Sequence, residues 1–204
     1  MTPGLSRLQE ALFAGLGGRI LSCTLALDEV TLVVHRNDYH PAMQLLKDLP
    51  TLSFEQLTDL AGVDYLHHHG AQEARFAVVV HLLSLTQNHR LRVRVFLPDE
   101  PELLLPTVSD IWPAASWYER EAFDLFGIHF EGHEDMRRIL TDYDFVGHPL
   151  RKDFPVQGHV EVHYDESEKR VRYRPVSIDP REIVPRIQRN SKEQAAGKRR
   201  FSDD

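Results

Sequence analysis

Two apolar runs, Phe76 to Leu85 and Leu91 to Leu97, follow one another with only a short polar stretch containing Gln87-Asn88-His89-Arg90 between them, and they do most to restrict the folds open to this chain. In the second run Leu91, Val93, Val95 and Leu97 alternate with Arg92, Arg94 and Phe96. A period of two puts the first set on one face and the second on the other, so the run is a strand with one buried face. Pro98 and Pro101 close it. A chain built around such a pair must supply further strands beside it and helices to cover the apolar face.

Those elements can be read on either side. Thr2-Pro3 suits an N-cap followed by proline at the first helical position, and Leu5, Leu8, Leu12 and Leu16 recur at helical spacing up to Gly17-Gly18. Ile20 to Leu27 and Val30 to His35 read as a hairpin turning at Asp28-Glu29. Asn37-Asp38 can cap a second helix carrying Met43, Leu45, Leu46 and Leu49, which Pro50 stops. Phe54 to Tyr65 fits a helix or a half-buried strand. Thr107 to Phe126 reads as helical in part, with Ile111, Trp112, Trp117, Ala122 and Phe126 available for packing. After Phe130 the chain becomes loop-like, and Pro175, Pro180 and Pro185 punctuate its end. The pattern predicts an α+β fold: a mixed sheet of four to five strands packed with helices, then an extended, charged C-terminal region. The divisions expected are a core domain over 1–130, motif-bearing loops and short elements over 131–173, and a tail over 174–204 that packs on partners, its last dozen residues mobile.

Composition removes several classes of function. The one cysteine, Cys23, cannot form an internal disulfide, hold a four-thiolate iron–sulfur cluster or build a cysteine zinc site, and the expectation is an intracellular protein. A net charge of −7 does not suit a chain that coats nucleic acid or anionic lipid. No apolar run reaches the ~18–20 residues of a membrane-spanning helix, and the N-terminus lacks a signal-peptide layout, so membrane association is expected only through partners. Gly15 to Gly18 lacks the dinucleotide-binding spacing, and no Walker-type loop or nucleophile elbow is present. His159, Glu161 and His163 would share one face of a strand, a geometry open to a metal, but no third or fourth ligand is compelled. The plainer reading of these and the other histidines is surface or hydrogen-bonded groups, and a histidine-rich metalloenzyme stands as a rival in a different class.

The densest chemistry lies between Trp117 and Pro155. Aromatic residues, charges of both signs and turn residues interleave there, which is the composition of a docking surface or a stapled loop. Glu119 and Glu121 lie two apart and so point to different sides of a helix. Glu119, Arg120, Glu121 and Asp124 are expected to form ion pairs with Arg137, Arg138, Arg151 or a neighbouring protein.

Glu119-Arg120-Glu121, Asp124 with Leu125-Phe126, His133 and Arg137-Arg138-Ile139-Leu140 resemble the signature of the 30 kDa-type subunits of respiratory complex I. Gly147-His148-Pro149-Leu150-Arg151-Lys152-Asp153-Phe154-Pro155 resembles that family's second hallmark. Glu134 departs from the pattern, which commonly has proline after the histidine. The resemblance implies a non-catalytic structural subunit in the hydrophilic arm of an NADH:quinone oxidoreductase that couples electron transfer to proton translocation. It implies no catalytic, cofactor-binding or metal-binding residue on this chain, with FMN and iron–sulfur clusters on partners. The partners it implies are other hydrophilic-arm subunits, especially the large quinone-pocket subunit and its cluster-bearing neighbour, on the cytoplasmic side of the bacterial inner membrane. A related membrane-bound hydrogenase subunit is the alternative within the same lineage.

Overall fold

Leu27 and Asp28 both take positive φ, 51° and 60°, and this two-residue turn joins strands β1 (Ile20–Ala26) and β2 (Glu29–Val34). Positive φ at both central positions gives a turn whose twist matches that of the flanking strands. The turn therefore falls one residue earlier than Asp28-Glu29, with Leu27 fully exposed at its tip. The computed structural model of the chain describes residues 3–68, 74–98 and 102–178. Thr2, His69, Gly70, Pro101 and the tail residues from 179 onward, including Pro180, Ile183, Val184, Pro185 and Ile187, lie outside the described residues.

Strands β4 (Phe76–Ser84) and β5 (His89–Leu97) pair antiparallel at the centre of the molecule. Strand β3 (Gln56–Asp64) settles the ambiguous segment as a strand and pairs with β4, with an irregularity between Leu57 and Asp59. The five strands run in the order β1-β2-β5-β4-β3, and β2 lies parallel to β5 while the other pairs are antiparallel. This is the mixed, five-stranded α+β sheet that the patterning predicts.

Helices α1 (Pro3–Leu16), α2 (Tyr39–Asp48) and α3 (Ala115–Phe126) bring Leu8, Leu12, Met43, Leu46 and Ala122 into one core with Leu32, Val78, Val80, Leu82, Val93 and Val95 of the sheet. Alternation along β4 and β5 leaves the other face with Val79, His81, Arg92, Arg94 and Phe96 partly exposed. The helical region expected over 107–126 begins only at Ala115. Thr107 to Ala114 instead forms turns and irregular backbone, and Pro113 within it cannot donate to a preceding helical turn. Two short parallel strands, β6 (Leu103–Pro106) and β7 (Ile128–Glu131), flank α3 in sequence and fix its two ends.

The chain divides into two compact units, Met1–Val156 and Gln157–Asp204. In the second, β8 (Val160–Asp165) and β9 (Arg170–Pro175) make an antiparallel hairpin in place of the loop-like chain expected there. Val160, Val162 and Tyr164 alternate with Glu161, His163 and Asp165, and Val171 and Tyr173 with Arg170, Arg172 and Arg174, so the sequence does carry a strand period here, although the apolar side is largely exposed. Arg174 to Glu161 and Arg172 to Glu168 are ion pairs of this hairpin. Among the described residues no helix is long and apolar enough to cross a membrane.

Gly62 of β3 is where the sheet receives α3: a Cβ there would lie 2.6 and 2.9 Å from ring carbons of Phe126 and 3.2 Å from Ile128 Cδ1. Gly62→Ala is therefore expected to overpack the seam and cost about 1–3 kcal/mol. Urea denaturation of the purified chain checks this; an unchanged midpoint would mean that α3 does not seat on β3 in this way.

Candidate functional site: a buried carboxylate and the helix end it organises

Helix α3 carries the motif acids at three different angles, and each meets a different environment. Asp124 is fully buried. Its Oδ2 accepts the backbone N–H groups of Ile139, Leu140 and Thr141 at 3.0, 2.7 and 2.8 Å. Its Oδ1 accepts Arg138 Nη1 at 2.7 Å and the Thr141 hydroxyl. Burial by itself would raise the carboxyl pKa, but the Thr141 hydroxyl, the Thr141 and Leu140 amides and the Arg138 guanidinium hold it well below the usual carboxylate range. Three consecutive amides aimed at one oxygen form a concave anion seat, and here the anion is supplied by the chain itself.

The same loop closes the C-terminus of α3. A helix leaves its last carbonyls without intrahelical donors and carries a partial negative charge at that end. Gly127, in the left-handed region at φ 74°, donates to Phe123 O at 2.8 Å. Asp124 O is 2.9 Å from His148 Nδ1, Leu125 O accepts Leu150 N at 3.1 Å, and Phe126 O accepts Arg151 Nε at 2.7 Å. Arg138 Nη2 also donates to Gly147 O at 3.1 Å, tying the two halves of the loop together. A Cβ on Gly127 would lie 2.6 Å from both Arg151 Nη2 and His148 Nε2, so glycine is required there for space as well as for φ. Burial, with Arg151 and Arg138 nearby, holds the His148 pKa below its ordinary value.

Lys152 and Asp153 are fastened elsewhere, to the end of β3. Buried Asp64 accepts Arg75 Nε and Nη2 at 3.1 and 3.0 Å, Leu66 N at 2.8 Å and Lys152 N at 2.8 Å. Arg75 Nη2 also pairs with Asp153 at 2.9 Å. Arg75 and Arg151 stack over the Phe76 ring, 4.6 and 5.1 Å from its centroid. Phe145 and Phe154 pack at 5.8 Å, with Gly147 at φ 101° passing close to the Phe154 ring.

Of the expected ion pairs, Asp124 to Arg138 forms. The other pairs expected within the chain do not form among the described residues. Glu119 faces the turn after β6, away from the 137–151 loop, and accepts the Thr107 hydroxyl at 2.5 Å and Val108 N at 2.8 Å. It is fully buried without an ion pair among the described residues, and burial pushes its pKa up to about 7. Arg120 is 7% exposed and donates to carbonyls rather than carboxylates, those of Arg137 and Arg138, at 3.2 and 3.3 Å, while lying 5.3 Å from the Trp117 ring. Glu121 is exposed. Arg137 pairs with Asp135 at the surface. His133 accepts Asp135 N on Nδ1, so its proton sits on Nε2, which faces Ser116 Oγ at 2.9 Å. Pro149 is half-buried.

Asp64, Arg75, Thr107, Ser116 and Thr141 carry the site as well, though motif spacing does not mark them. Thr141 alone has a signal, because it directly follows Arg137-Arg138-Ile139-Leu140; Asp64 and Arg75 lie more than seventy residues before Lys152 and Asp153, which they hold. His159 and His163 sit beside and within β8, exposed, and no group of three or more His, Cys, Asp or Glu suited to a metal occurs among the described residues. Around the loop, Trp117, Leu140, Tyr143, Val146 and Leu150 present large apolar surface to solvent.

Such a site defines an α+β domain in which a long loop is stapled to a helix end and displays apolar side chains outward. The family described as respiratory-chain NADH dehydrogenase, 30 Kd subunit, matches residues 32–160. The chain is 56% identical over 194 residues to the C subunit of the NADH-quinone oxidoreductase of Burkholderia multivorans, covering 94% of this chain and 97% of that one. It is 58% identical over 189 residues to the corresponding C subunit of Ralstonia nicotianae, with 92% and 94% covered. The structure resembles a trypsin-resistant fragment (1–134) of Nqo5, with TM-score 0.56, 37% identity, and 65% and 98% of the two chains covered. It also resembles a chain of an archaeal membrane-bound sulfane sulfur reductase, with TM-score 0.61, 25% identity and 74% and 85% covered. The chain belongs to the 30 kDa subunit family of respiratory-chain NADH dehydrogenases.

Two expectations follow for the buried acids. Asp124→Asn puts an amide where five donors converge and strands Arg138, so it is expected to cost about 3–5 kcal/mol, measured by chemical denaturation near neutral pH. Because the folded-state pKa of Asp124 is depressed, its contribution is present above the ordinary carboxylate range and is lost as pH falls through the folded value. Glu119 has the opposite sign. With a folded pKa of about 7 against 4.5, its contribution is complete below 4.5 and is lost as pH rises through 7. Relative to Glu119→Gln, the native chain should therefore lose roughly 2–3 kcal/mol between pH 4.5 and pH 8, and parallel stability–pH curves for the two would refute the assignment.

Proposed function

We propose that this chain is a non-catalytic structural subunit of the hydrophilic arm of NADH:quinone oxidoreductase, the complex that passes electrons from NADH to quinone and couples this to proton translocation. The observation that carries the reading is the use made of the motif. Asp124, Arg138, His148, Arg151 and Asp153 are engaged in folding one loop onto α3 and β3, and that loop turns Leu140, Tyr143, Val146 and Leu150 outward. Groups engaged in this way shape a surface rather than meet a substrate. The flavin and iron–sulfur centres belong to partner chains on this reading. The neighbours proposed are the large quinone-pocket subunit and its cluster-bearing neighbour, with the assembly on the cytoplasmic face of the inner membrane and this chain held there through partners. The hydrogenase-type alternative is disfavoured, because relatives matching over 90% of this chain at 56% and 58% identity are NADH-quinone oxidoreductase subunits.

Removing the chain from a host that carries the complex tests this. Its membranes should lose NADH:quinone activity, and the wild-type chain should restore it. Truncation after Ile178 leaves β9 intact, which takes in the first two residues of the tail expected over 174–204, and removes that proposed partner-packing tail from residue 179 onward. The truncated chain is expected to unfold at the same denaturant concentration as the full chain while the yield of intact complex falls. An unfolded domain, or a complex assembled at full yield, would overturn the role given to the tail.

A further inference from the structure

The face of the sheet turned away from the helices carries Arg94 on its central strand, β5. Register places Val33, Arg94, Val79 and Ala61 in one row across β2, β5, β4 and β3, with Phe96, Ala77 and Val63 in the next. Val33 and Ala77 are buried yet belong to no part of the helix-side core. Neighbouring Arg92 is neutralised: it donates to Thr31 Oγ1 through Nε and Nη2 at 3.0 and 2.8 Å and pairs with Glu29 at 3.1 Å. Arg94 is not. Its Nε is buried with no hydrogen-bond acceptor among the described residues, and its guanidinium rests 5.8 Å from the centroid of the Phe96 ring. A buried donor left unmet is costly, and a half-buried arginine set among apolar side chains is the composition of an interface anchor.

We propose that this open sheet face is a docking surface for another protein chain that presents a carboxylate to Arg94 from within an apolar surface. Charge decides between occupants. A second copy docked with the two-fold axis through the central row of the face would bring arginine against arginine. The segment of this chain beyond Ile178 carries seven lysines and arginines against five carboxylates, a basic balance that does not complement a cation. A different chain with an Asp or Glu at the contact does, and bidentate pairing would give Arg94 Nε the acceptor it lacks among the described residues.

The inference rests on the chain working inside an assembly, and its test separates the two readings. Wild-type, Arg94→Glu and Arg94→Lys chains are each supplied to a host lacking the chain, and complexes are resolved by native electrophoresis with NADH-oxidation staining. Wild type and Arg94→Lys should co-migrate with the complex. Arg94→Glu should reduce assembled complex at least tenfold, while its isolated chain melts like wild type because Arg94 has no ion pair among the described residues to lose. Carbodiimide treatment of the assembled Arg94→Lys complex should join the new amine to an Asp or Glu of a different subunit, identified by mass spectrometry. Normal assembly of Arg94→Glu, or a crosslink from position 94 only to another copy or to residues beyond 178 of this chain, overturns the docking proposal alone. A wild-type chain that never co-migrates with the complex overturns the subunit assignment and this inference with it.

Discussion

Asp124 meets Ile139, Leu140, Thr141 and Arg138 at a place where the protein has no regular secondary structure to spare. Loop backbone that approaches a core must find partners for its amides, and a stretch of this length would ordinarily run over the surface with water as its partner. One carboxylate on the last turn of α3 removes that need for three amides in succession. The cost of burying its charge is offset by five donors, one of them the Arg138 cation. Once this loop is anchored, Gly147 to Arg151 lies against the open end of the same helix, and the donors of His148, Leu150 and Arg151 meet the carbonyls of residues 124, 125 and 126 in order. Arg138 and Arg151 also put positive charge where the helix dipole is negative. The two sequence hallmarks are thus one device seen from opposite sides, acid on the helix and base on the loop.

Asp64 repeats the arrangement at the far end of that loop with different parts. It takes backbone amides from Leu66 and Lys152 and a two-nitrogen contact from Arg75, which in turn reaches Asp153. The loop is therefore tied at both ends by buried acids on rigid elements, a helix and a strand. Between the ties its side chains are free to point outward, which is how Leu140, Tyr143 and Val146 come to be exposed on a well-fixed backbone. Presenting apolar groups on a pre-organised segment lowers the ordering entropy that docking would otherwise cost.

What is legible in the sequence follows from where period and punctuation are strong. The alternation of Leu91 to Leu97 and the helical spacing of Leu5 to Leu16 are local signals set by one buried face, and the corresponding elements form. The β1–β2 turn sits one residue earlier than its turn-forming residues suggest, because the twist of the strands requires positive φ at Leu27 as well as at Asp28. Strands β8 and β9 carry a period of two as well, in Val160, Val162 and Tyr164 and then in Val171 and Tyr173, but the apolar side is largely exposed, so no buried face accompanies the pattern. In the site, the motif residues are visible as types but their pairing is not. Glu119 and Asp124 are five residues apart on one helix, and the choice of which faces the cationic loop depends on where β6 and β7 place α3.

That choice gives the two acids opposite behaviour toward protons, although both are fully buried. Asp124 has amides in a row and a guanidinium, so its carboxyl pKa is held well below the usual range and the ionised form is favoured. Glu119 has one hydroxyl and one amide and no cation among the described residues, so desolvation prevails and its proton is held to about pH 7. Burial alone therefore does not set the charge of a carboxyl; the count and kind of donors aimed at it do. Arg120, between them in sequence, completes the pattern by turning its charge to the carbonyls of Arg137 and Arg138, where it supports the loop backbone and leaves Asp124 to Arg138. Alternating acid and base along one helix thus does not make a lattice of mutual pairs here. Each buried charge is consumed largely by backbone, and backbone held this firmly is what a surface must have before another protein can be fitted against it.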